Sequence, residues 1–157
     1  MKLYLARHGI ALEANVDPLR PLSEKGKIEI TRLADFLSPF GVLVSHVYHS
    51  TKLRAQQTAI LLAAAIAPGQ EIAVLTGLES DSSVELLYQQ ILGWADDTLL
   101  VSHLPFVGEL LVKLLDISKL RLIMNWQPGT MVCLERVTFE QWLISWVLTP
   151  NAIPDGK

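Results

Sequence analysis

Residues 3–9 read LYLARHG. This stretch predicts a strand with chemically reactive side chains directly after it. The apolar run Leu3–Ala6 predicts a short, fully buried strand over residues 2–6. An arginine, a histidine and a glycine follow it directly. Such a strand end is usually an ordinary solvated terminus. The alternative is that the strand serves to hold Arg7 and His8 at a fixed point.

Strands and helices alternate along most of the remaining chain. The further predicted strands cover residues 42–49, 71–75, 98–102, 130–137 and 141–148. Ser23 and Ser50 are predicted to cap the first two helices, and Pro105 to begin the last one. The two C-terminal strands are close in sequence and should form an antiparallel pair. We therefore expect a three-layer α/β/α sandwich around a mostly parallel sheet with an antiparallel C-terminal strand pair.

Size and composition limit the class of protein. The chain has 157 residues, of which 50% are hydrophobic and 18% charged, so residues 1–157 should form one globular domain. The net charge of −3 argues against a nucleic-acid partner. Cys133 is the only cysteine, which is typical of a reducing cytoplasm. The longest apolar run, residues 59–67, is too short to span a membrane, so no membrane partner is expected.

Several further residues have simple structural interpretations. His46 and His49 are three residues apart on a strand, so they should face opposite sides and not share a metal ion. Cys133 is expected to be a small buried hydrophobic residue. Trp142 and Trp146 are expected on one strand face, packed against the sheet or the core.

The predicted topology brings cationic side chains together at one edge of the sheet. Ligands of open α/β sheets bind outside the carboxyl ends of the strands. Arg7 and His8 follow one strand, His103 follows another, and Arg54 lies at the start of a helix. Arg20 is a candidate fifth member. Arginine matches the bidentate geometry of phosphate, so the cluster predicts a site for a phosphoryl group.

The same cluster predicts a reaction. Neighbouring positive charge disfavours an imidazolium, so His8 should be neutral near pH 7 and available as a nucleophile. Displacement at phosphorus would form a phosphohistidine that water then hydrolyses. The cationic side chains would stabilise the transferring group in place of a metal ion, so no metal or other cofactor is expected. Gly9 would let the backbone and the phosphate approach closely.

Three ordered motifs carry a family resemblance. LARHG (5–9), STKLRAQQT (50–58) and LLVSHLPFVGELL (99–111) resemble the histidine phosphatase (phosphoglycerate-mutase-like) superfamily, and the resemblance runs to about residue 147. LRPLSEKG (19–26), SHLPFVGELL (102–111) and the small size resemble its short SixA-type phosphohistidine phosphatases. The resemblance implies that His8 accepts the phosphate, that Arg7 and Arg54 clamp it, and that His103 is a second catalytic histidine. It matches Arg20 to an additional arginine of the phosphate pocket.

The resemblance also bears on the proton donor and the substrate. The superfamily often supplies a glutamate donor from an insertion that is short in this chain. Glu79 is the nearest candidate, although an ordinary loop carboxylate is the commoner interpretation. A short insertion implies an open pocket, which suits the phosphohistidine of a signalling or phosphocarrier protein. The alternatives are a phosphatase for small phosphate esters and a non-catalytic module that binds phosphoproteins.

Overall fold

The computed structural model describes residues 1–117 and 124–154 of the chain. The strands are β1 (Lys2–Arg7), β2 (His46–His49), β3 (Ile72–Val74), β4 (Thr98–Ser102), β5 (Met131–Arg136) and β6 (Trp142–Leu148). The α-helices are α1 (Glu24–Leu37), α2 (Leu53–Ile66), α3 (Val84–Leu92) and α4 (Phe106–Leu114). None of the helices in these ranges combines the length and the apolar composition needed to cross a membrane.

The six strands form one sheet in the order β3-β2-β4-β1-β5-β6. Strands β1 to β4 pair in parallel, whereas β5 runs antiparallel to β1 and to β6. Because β1, β2 and β4 are parallel, each of them begins at the same end of the sheet. The connections through α1, α2 and α3 must therefore carry the chain back to that end. The predicted mostly parallel sheet with an antiparallel C-terminal pair is confirmed.

Helices cover the sheet on both sides. The apolar positions of α1 and α2, such as Ile30 and Leu62, pack against one face of the sheet. Those of α3 and α4, such as Ile91 and Leu110, pack against the other face. Adjacent residues of a strand point to opposite faces, and Leu3 accordingly contacts the second layer while its neighbour Tyr4 contacts the first. The predicted three-layer α/β/α sandwich is confirmed.

The start of α1 is fastened to the segment that follows β1. The side chain of Ser23 accepts a hydrogen bond from the backbone N–H of Gly26 (3.0 Å), which confirms the predicted cap. The backbone N–H of Ser23 donates to the carbonyl of Ile10 (2.8 Å). A Cβ on Gly26 would lie 2.1 Å from the same carbonyl oxygen, so only glycine allows this approach. These contacts fix the first turn of α1 against Ile10, which follows His8 by two residues.

The boundaries of the second strand–helix unit differ from the prediction. β2 begins at His46 and not at residue 42, because the backbone N–H of Val44 donates to Ile66 at the end of α2 (2.8 Å) instead of joining the sheet. The cap of α2 is Lys52, two residues beyond Ser50. Ser50 is wholly buried, and its hydroxyl is hydrogen bonded to the ring of His103. Ser50 therefore contacts the ring of His103 and is not the cap of α2.

The two tryptophans of β6 lie on opposite faces of the sheet, so the prediction of a shared face is wrong. Trp142 is buried with the α3–α4 layer, whereas Trp146 packs against the α1–α2 layer. A register shift opposite Cys133 and Leu134 inserts an extra residue, Ser145, between the two tryptophans. Such a bulge reverses the alternation of side chains beyond it.

The remaining structural interpretations agree with the fold. Cys133 is fully buried on β5. His46 is exposed and His49 is buried, and the Nδ1–H of His49 donates to the carbonyl of Ser50 (2.7 Å). The two histidines are therefore separated by the sheet, as their spacing predicts.

Candidate active site

The register of β1 and β4 places His8 beside His103. Arg7 pairs with Ser102 at the carboxyl ends of the two strands, so the residues that follow leave the sheet at the same level. The ring centres of His8 and His103 are 5.0 Å apart. The sheet thus brings together two histidines that are 95 positions apart in the sequence, as their strand-end positions predicted.

Two hydrogen bonds determine the tautomer of His8. Nδ1 lies 2.7 Å from the carbonyl oxygen of Gly9, and because a carbonyl only accepts, Nδ1 must carry the proton. The Nε–H of Arg54 then donates to Nε2 of His8 across 3.2 Å. Nε2 therefore has the free electron pair. The ring is held as a neutral imidazole whose nucleophilic nitrogen points at a guanidinium.

His8 stays neutral over the physiological range. Burial lowers the pKa of His8 to about 3, and the positive charges of Arg54 and Arg7 act in the same direction. The hydrogen bond to Gly9 opposes them by raising the pKa, but it is outweighed. A neutral ring is the reactive form for attack on phosphorus.

Arg54 lies in the first turn of α2. Its guanidinium completes the cluster with Arg7, His8 and His103, which is called the pocket below. The carbonyl of Arg54 accepts a hydrogen bond from the hydroxyl of Thr58 (2.8 Å), one helical turn later. The same hydroxyl accepts from the backbone N–H of Gly9 (3.1 Å), which ties α2 to the end of β1. Burial lowers the pKa of Arg54, and the positive charge of Arg20 lowers it further.

Arg7 has unused hydrogen-bonding capacity. One terminal nitrogen of its guanidinium donates to the carbonyl of Trp126 (2.5 Å). Its Nε is buried and has no hydrogen-bond partner among residues 1–117 and 124–154. A buried donor without a partner is costly unless a ligand supplies an acceptor. Arg7 is therefore suited to bind an anion, and burial lowers its pKa without removing the charge.

His103 is buried against Ser50 and is also neutral. Its Nε2 is hydrogen bonded to the hydroxyl of Ser50, and its Nδ1 has no partner within the described part of the chain. Burial lowers the pKa of His103 to about 4, and the charges of Arg54, Lys52 and Arg7 add to this effect. The opposite charge of Glu79 raises the pKa by less.

Arg20 lies close enough to the cluster for its charge to act on Arg54. The Nε–H of Arg20 donates to the carbonyl of Leu12 (3.1 Å), and its backbone has a left-handed φ of 48°. Non-glycine residues adopt that conformation infrequently. The loop between β1 and α1 is therefore folded so that Arg20 turns back toward the start of the loop.

Gly9 is required for packing on the side away from the pocket. A Cβ at this position would lie 2.8 Å from Cγ1 of Ile30 and 3.2 Å from Leu22. The Gly9 backbone N–H is bonded to Thr58, and its carbonyl accepts from His8. This geometry gives a reason for the glycine that differs from the close phosphate approach expected from the sequence.

Glu79 is a carboxylate held by several donors. It accepts hydrogen bonds from the backbone N–H groups of Gly77 (2.9 Å) and Thr51 (3.3 Å) and from the hydroxyls of Thr51 (3.1 Å) and Ser82 (3.2 Å). Although burial alone would raise the pKa of Glu79, hydrogen bonds from the backbone of Glu79, Gly77 and Thr51 and from the Thr51 hydroxyl lower it to about 2. Near pH 7 the group has no proton to donate.

Sequence reasoning missed three contributors to the site. Thr58 follows Arg54 by four residues inside the STKLRAQQT motif, and this spacing on a helix could have identified it. Ser50 opens the same motif but was interpreted as a cap. Trp126 contributes only its backbone carbonyl to Arg7, for which no side-chain pattern exists.

Comparisons with known proteins identify the family of this chain. Residues 3–80 match the model of the histidine phosphatase superfamily (branch 1). Phosphohistidine phosphatase SixA of Escherichia coli K12 is 31% identical over 119 residues, which cover 73% of this chain and 74% of SixA. An uncharacterized protein of Picosynechococcus is 36% identical over 116 residues, which cover 69% of this chain and 70% of that protein.

A solved structure extends the likeness over almost the whole chain. The structure of the protein histidine phosphatase SixA complexed with tungstate superposes with a TM-score of 0.85 at 26% identity, covering 98% of this chain and 100% of that one. The family model, the sequence identity and the α/β fold all agree. The chain belongs to the histidine phosphatase superfamily, where it is of the SixA type, and it is a phosphatase.

Proposed function

We propose that this protein is a phosphohistidine phosphatase that dephosphorylates a signalling or phosphocarrier protein through a covalent phosphohistidine on His8. One observation carries the proposal: His8 is held neutral, with the electron pair of Nε2 facing the guanidinium of Arg54 (3.2 Å). This arrangement pairs a nucleophile with a group that binds phosphoryl oxygens.

The reaction has two displacements at phosphorus. In the first, Nε2 of His8 forms a bond to phosphorus as the bond from phosphorus to the substrate imidazole breaks. The electron pair of that bond stays on the substrate nitrogen, which takes a proton from water. In the second, a water oxygen bonds to phosphorus and gives a proton to the hydroxide left by the first step. The bond to Nε2 breaks, its electron pair returns to Nε2, and inorganic phosphate leaves with His8 neutral again.

The proposed roles of the other residues follow from their hydrogen-bonding capacity. Arg54 and the Nε–H of Arg7, which has no partner within residues 1–117 and 124–154, bind phosphoryl oxygens, and Arg20 adds positive charge near Arg54. The neutral His103 contributes a hydrogen bond to the transferring group, because its ring centre lies 5.0 Å from that of His8 and its Nδ1 has no partner within the described part of the chain. These groups supply the electrostatic stabilisation that metal ions give to many phosphoryl transfers, so we propose a metal-independent reaction.

The ionised state of Glu79 supports an N-linked phosphoryl substrate. An alkoxide leaving group depends on a general acid, which contributes 10²–10⁴-fold where present. The imidazole of phosphohistidine departs with little acid help because the P–N bond is labile. Glu79, with a pKa of about 2, is poorly suited to protonate an ester oxygen. We propose that it instead holds Thr51 at the start of the segment leading into α2.

The relatives add support for the substrate class and the oxyanion site. The relative from E. coli is named for activity on phosphohistidine, and the solved SixA structure contains tungstate, a tetrahedral oxyanion like phosphate. The proposed partner is accordingly a histidine-containing phosphotransfer protein. Since Cys133 is a free buried thiol, we propose a reducing compartment such as the cytoplasm.

The test measures phosphate release from a phosphotransfer domain phosphorylated on histidine, beside a panel of small phosphate esters, with and without EDTA. Wild type should release phosphate from the domain at a rate that EDTA does not change, and His8→Ala should lose the activity. Faster release from an ester would favour the small-molecule alternative. Tight binding of the phosphorylated domain without release would favour a non-catalytic binding module.

A further inference from the structure

Exposed apolar side chains lie next to the residues of the pocket. Leu19 directly precedes Arg20 and is 70% exposed, and Val16 in the same loop is 67% exposed. Leu104 directly follows His103 and is 38% exposed, although His103 itself is buried. Single exposed apolar residues are common, but their place beside a charged pocket raises the question of what covers them.

The loop that carries Val16 and Leu19 is held in place by several hydrogen bonds. A β-bridge joins Ala11 to Leu22 at its base, and the backbone N–H of Leu12 donates to the carbonyl of Pro21 (2.8 Å). The backbone N–H of Leu19 donates to the side chain of Asp17 (2.9 Å). Leu19 is therefore presented to solvent by a braced turn. Preorganisation of this kind lowers the entropic cost of binding a partner.

The apolar side chains approach the pocket from both faces of the sheet. The loop with Leu19 is attached to the α2 side, where the backbone N–H of Leu22 donates to Gln57 (2.7 Å). Leu104 belongs to the turn into α4, which packs on the opposite face. Since β1 and β4 are adjacent, a partner that inserts a phosphorylated side chain between these strand ends would meet apolar groups on two sides.

Two positive side chains, Lys52 and Arg20, lie near the same strand ends. Lys52 is exposed at the start of α2, and its charge lowers the pKa of the buried His103, so its field extends into the pocket. Arg20 acts on Arg54 in the same way. A partner that fits this surface has apolar side chains around its phosphoryl group and acidic side chains facing Lys52.

We propose that Val16, Leu19 and Leu104 form a docking surface for the folded protein that carries the phosphohistidine, with Lys52 facing acidic residues of that protein. The proposal rests on the proposed function, which it makes more specific. A small phosphate compound would reach the pocket without contacting these side chains. The docking surface therefore predicts that protein and small substrates respond differently to the same substitution.

The experiment compares two substrates of the same chemistry. One is a phosphotransfer domain phosphorylated on histidine by phosphoramidate, and the other is free phosphohistidine. Leu19→Gln and Leu104→Gln remove apolar surface without adding charge to the pocket. Leu143→Gln is the matched control, because Leu143 is 58% exposed and pairs with Glu135 near the opposite edge of the sheet.

Each docking variant should lower kcat/KM for the domain by roughly tenfold, mainly through KM, as expected for a contact near the centre of an interface. Neither should change kcat/KM for free phosphohistidine, and Leu143→Gln should change neither value. Unchanged kinetics on the domain would overturn the docking surface and leave the proposed function standing. An equal loss on both substrates would also overturn it, since that result indicates a distorted pocket. Absence of wild-type activity on the phosphorylated domain would overturn the proposed function and the docking surface together.

Discussion

His8 illustrates how two neighbours decide the chemistry of a side chain. The carbonyl of Gly9 assigns the proton to Nδ1, and Arg54 occupies the electron pair of Nε2 until a substrate arrives. A positive neighbour at 3.2 Å also keeps a second proton off the ring. The guanidinium can then transfer its hydrogen bond to a phosphoryl oxygen as phosphorus takes the electron pair.

The buried, positively charged surroundings of His8 predict how its ring titrates. Because burial and nearby positive charge lower the pKa of His8 to about 3, its ring signals should not shift between pH 8 and pH 5. The measurement is an NMR titration of the Cε1–H resonances, with His8 assigned by the signal that disappears in His8→Asn. A midpoint near 6.5, the value of a free imidazole, would contradict the environment described for this residue.

Glu79 should matter little to the chemical step. Since the pKa of Glu79 is about 2, we expect Glu79→Gln to lower kcat on a phosphohistidine substrate by less than about fivefold, well short of the 10²–10⁴-fold of a general acid. The control is Asp81→Asn, which neutralises an exposed carboxylate two residues away. A hundredfold loss in Glu79→Gln alone would restore the proton-donor role.

The site depends on how secondary-structure elements end. Because the paired strands β1 and β4 end side by side, His8 and His103 follow them as neighbours. The start of α2 positions Arg54. The start of α1 is fixed in turn by its contacts with Ile10. These contacts at the element ends leave the pocket residues little freedom to move apart.

The contact of α1 with Ile10 makes Gly26 essential to the fold. A Cβ at Gly26 would lie 2.1 Å from the Ile10 carbonyl oxygen, so Gly26→Ala must displace the helix or the segment after His8. We expect a loss of about 2–3 kcal/mol in the free energy of unfolding, measured by urea denaturation. Gly93→Ala is the matched control, because a Cβ there meets nothing closer than 3.5 Å and should change stability by less than about 0.5 kcal/mol.

Local patterns predicted the elements well because buried strands and amphipathic helices have strong periodicities. The cap at Ser23, the strand 98–102 and the buried stripe of α4 all agree with the structure. The bulge that separates Trp142 from Trp146 depends on pairing with β5, which is not encoded locally. Ser50 likewise gains its partner, His103, only through the parallel packing of β2 and β4.

At the scale of the whole molecule, two neutral histidines make stability depend on pH. In the unfolded chain both rings bind protons near pH 6.5, whereas His8 and His103 stay neutral down to about pH 3 and 4. Below pH 6.5 the unfolded state therefore binds more protons, and the free energy of unfolding falls as the pH falls. The slope contributed by two such groups is at most about 2.7 kcal/mol per pH unit.

The measurement is urea denaturation between pH 7 and pH 5 for wild type and for the double variant His8→Asn, His103→Gln. The slope should be smaller in the variant, because it lacks the two rings. Carboxylates and the other histidines are shared by both proteins, so their contribution cancels in the comparison. Equal slopes would mean that the two rings titrate normally in the folded protein.

We propose that His8 carries the phosphoryl group between the two displacements. Wild type and His8→Ala would each be mixed with a phosphotransfer domain labelled with ³²P on histidine and quenched in alkali within milliseconds, and the phosphorylated residue would be identified by mass spectrometry. We expect transient label on His8 of the wild type, none on the variant, and loss of phosphate release by the variant. Full phosphate release by His8→Ala, or release by wild type with label at another residue, would contradict it.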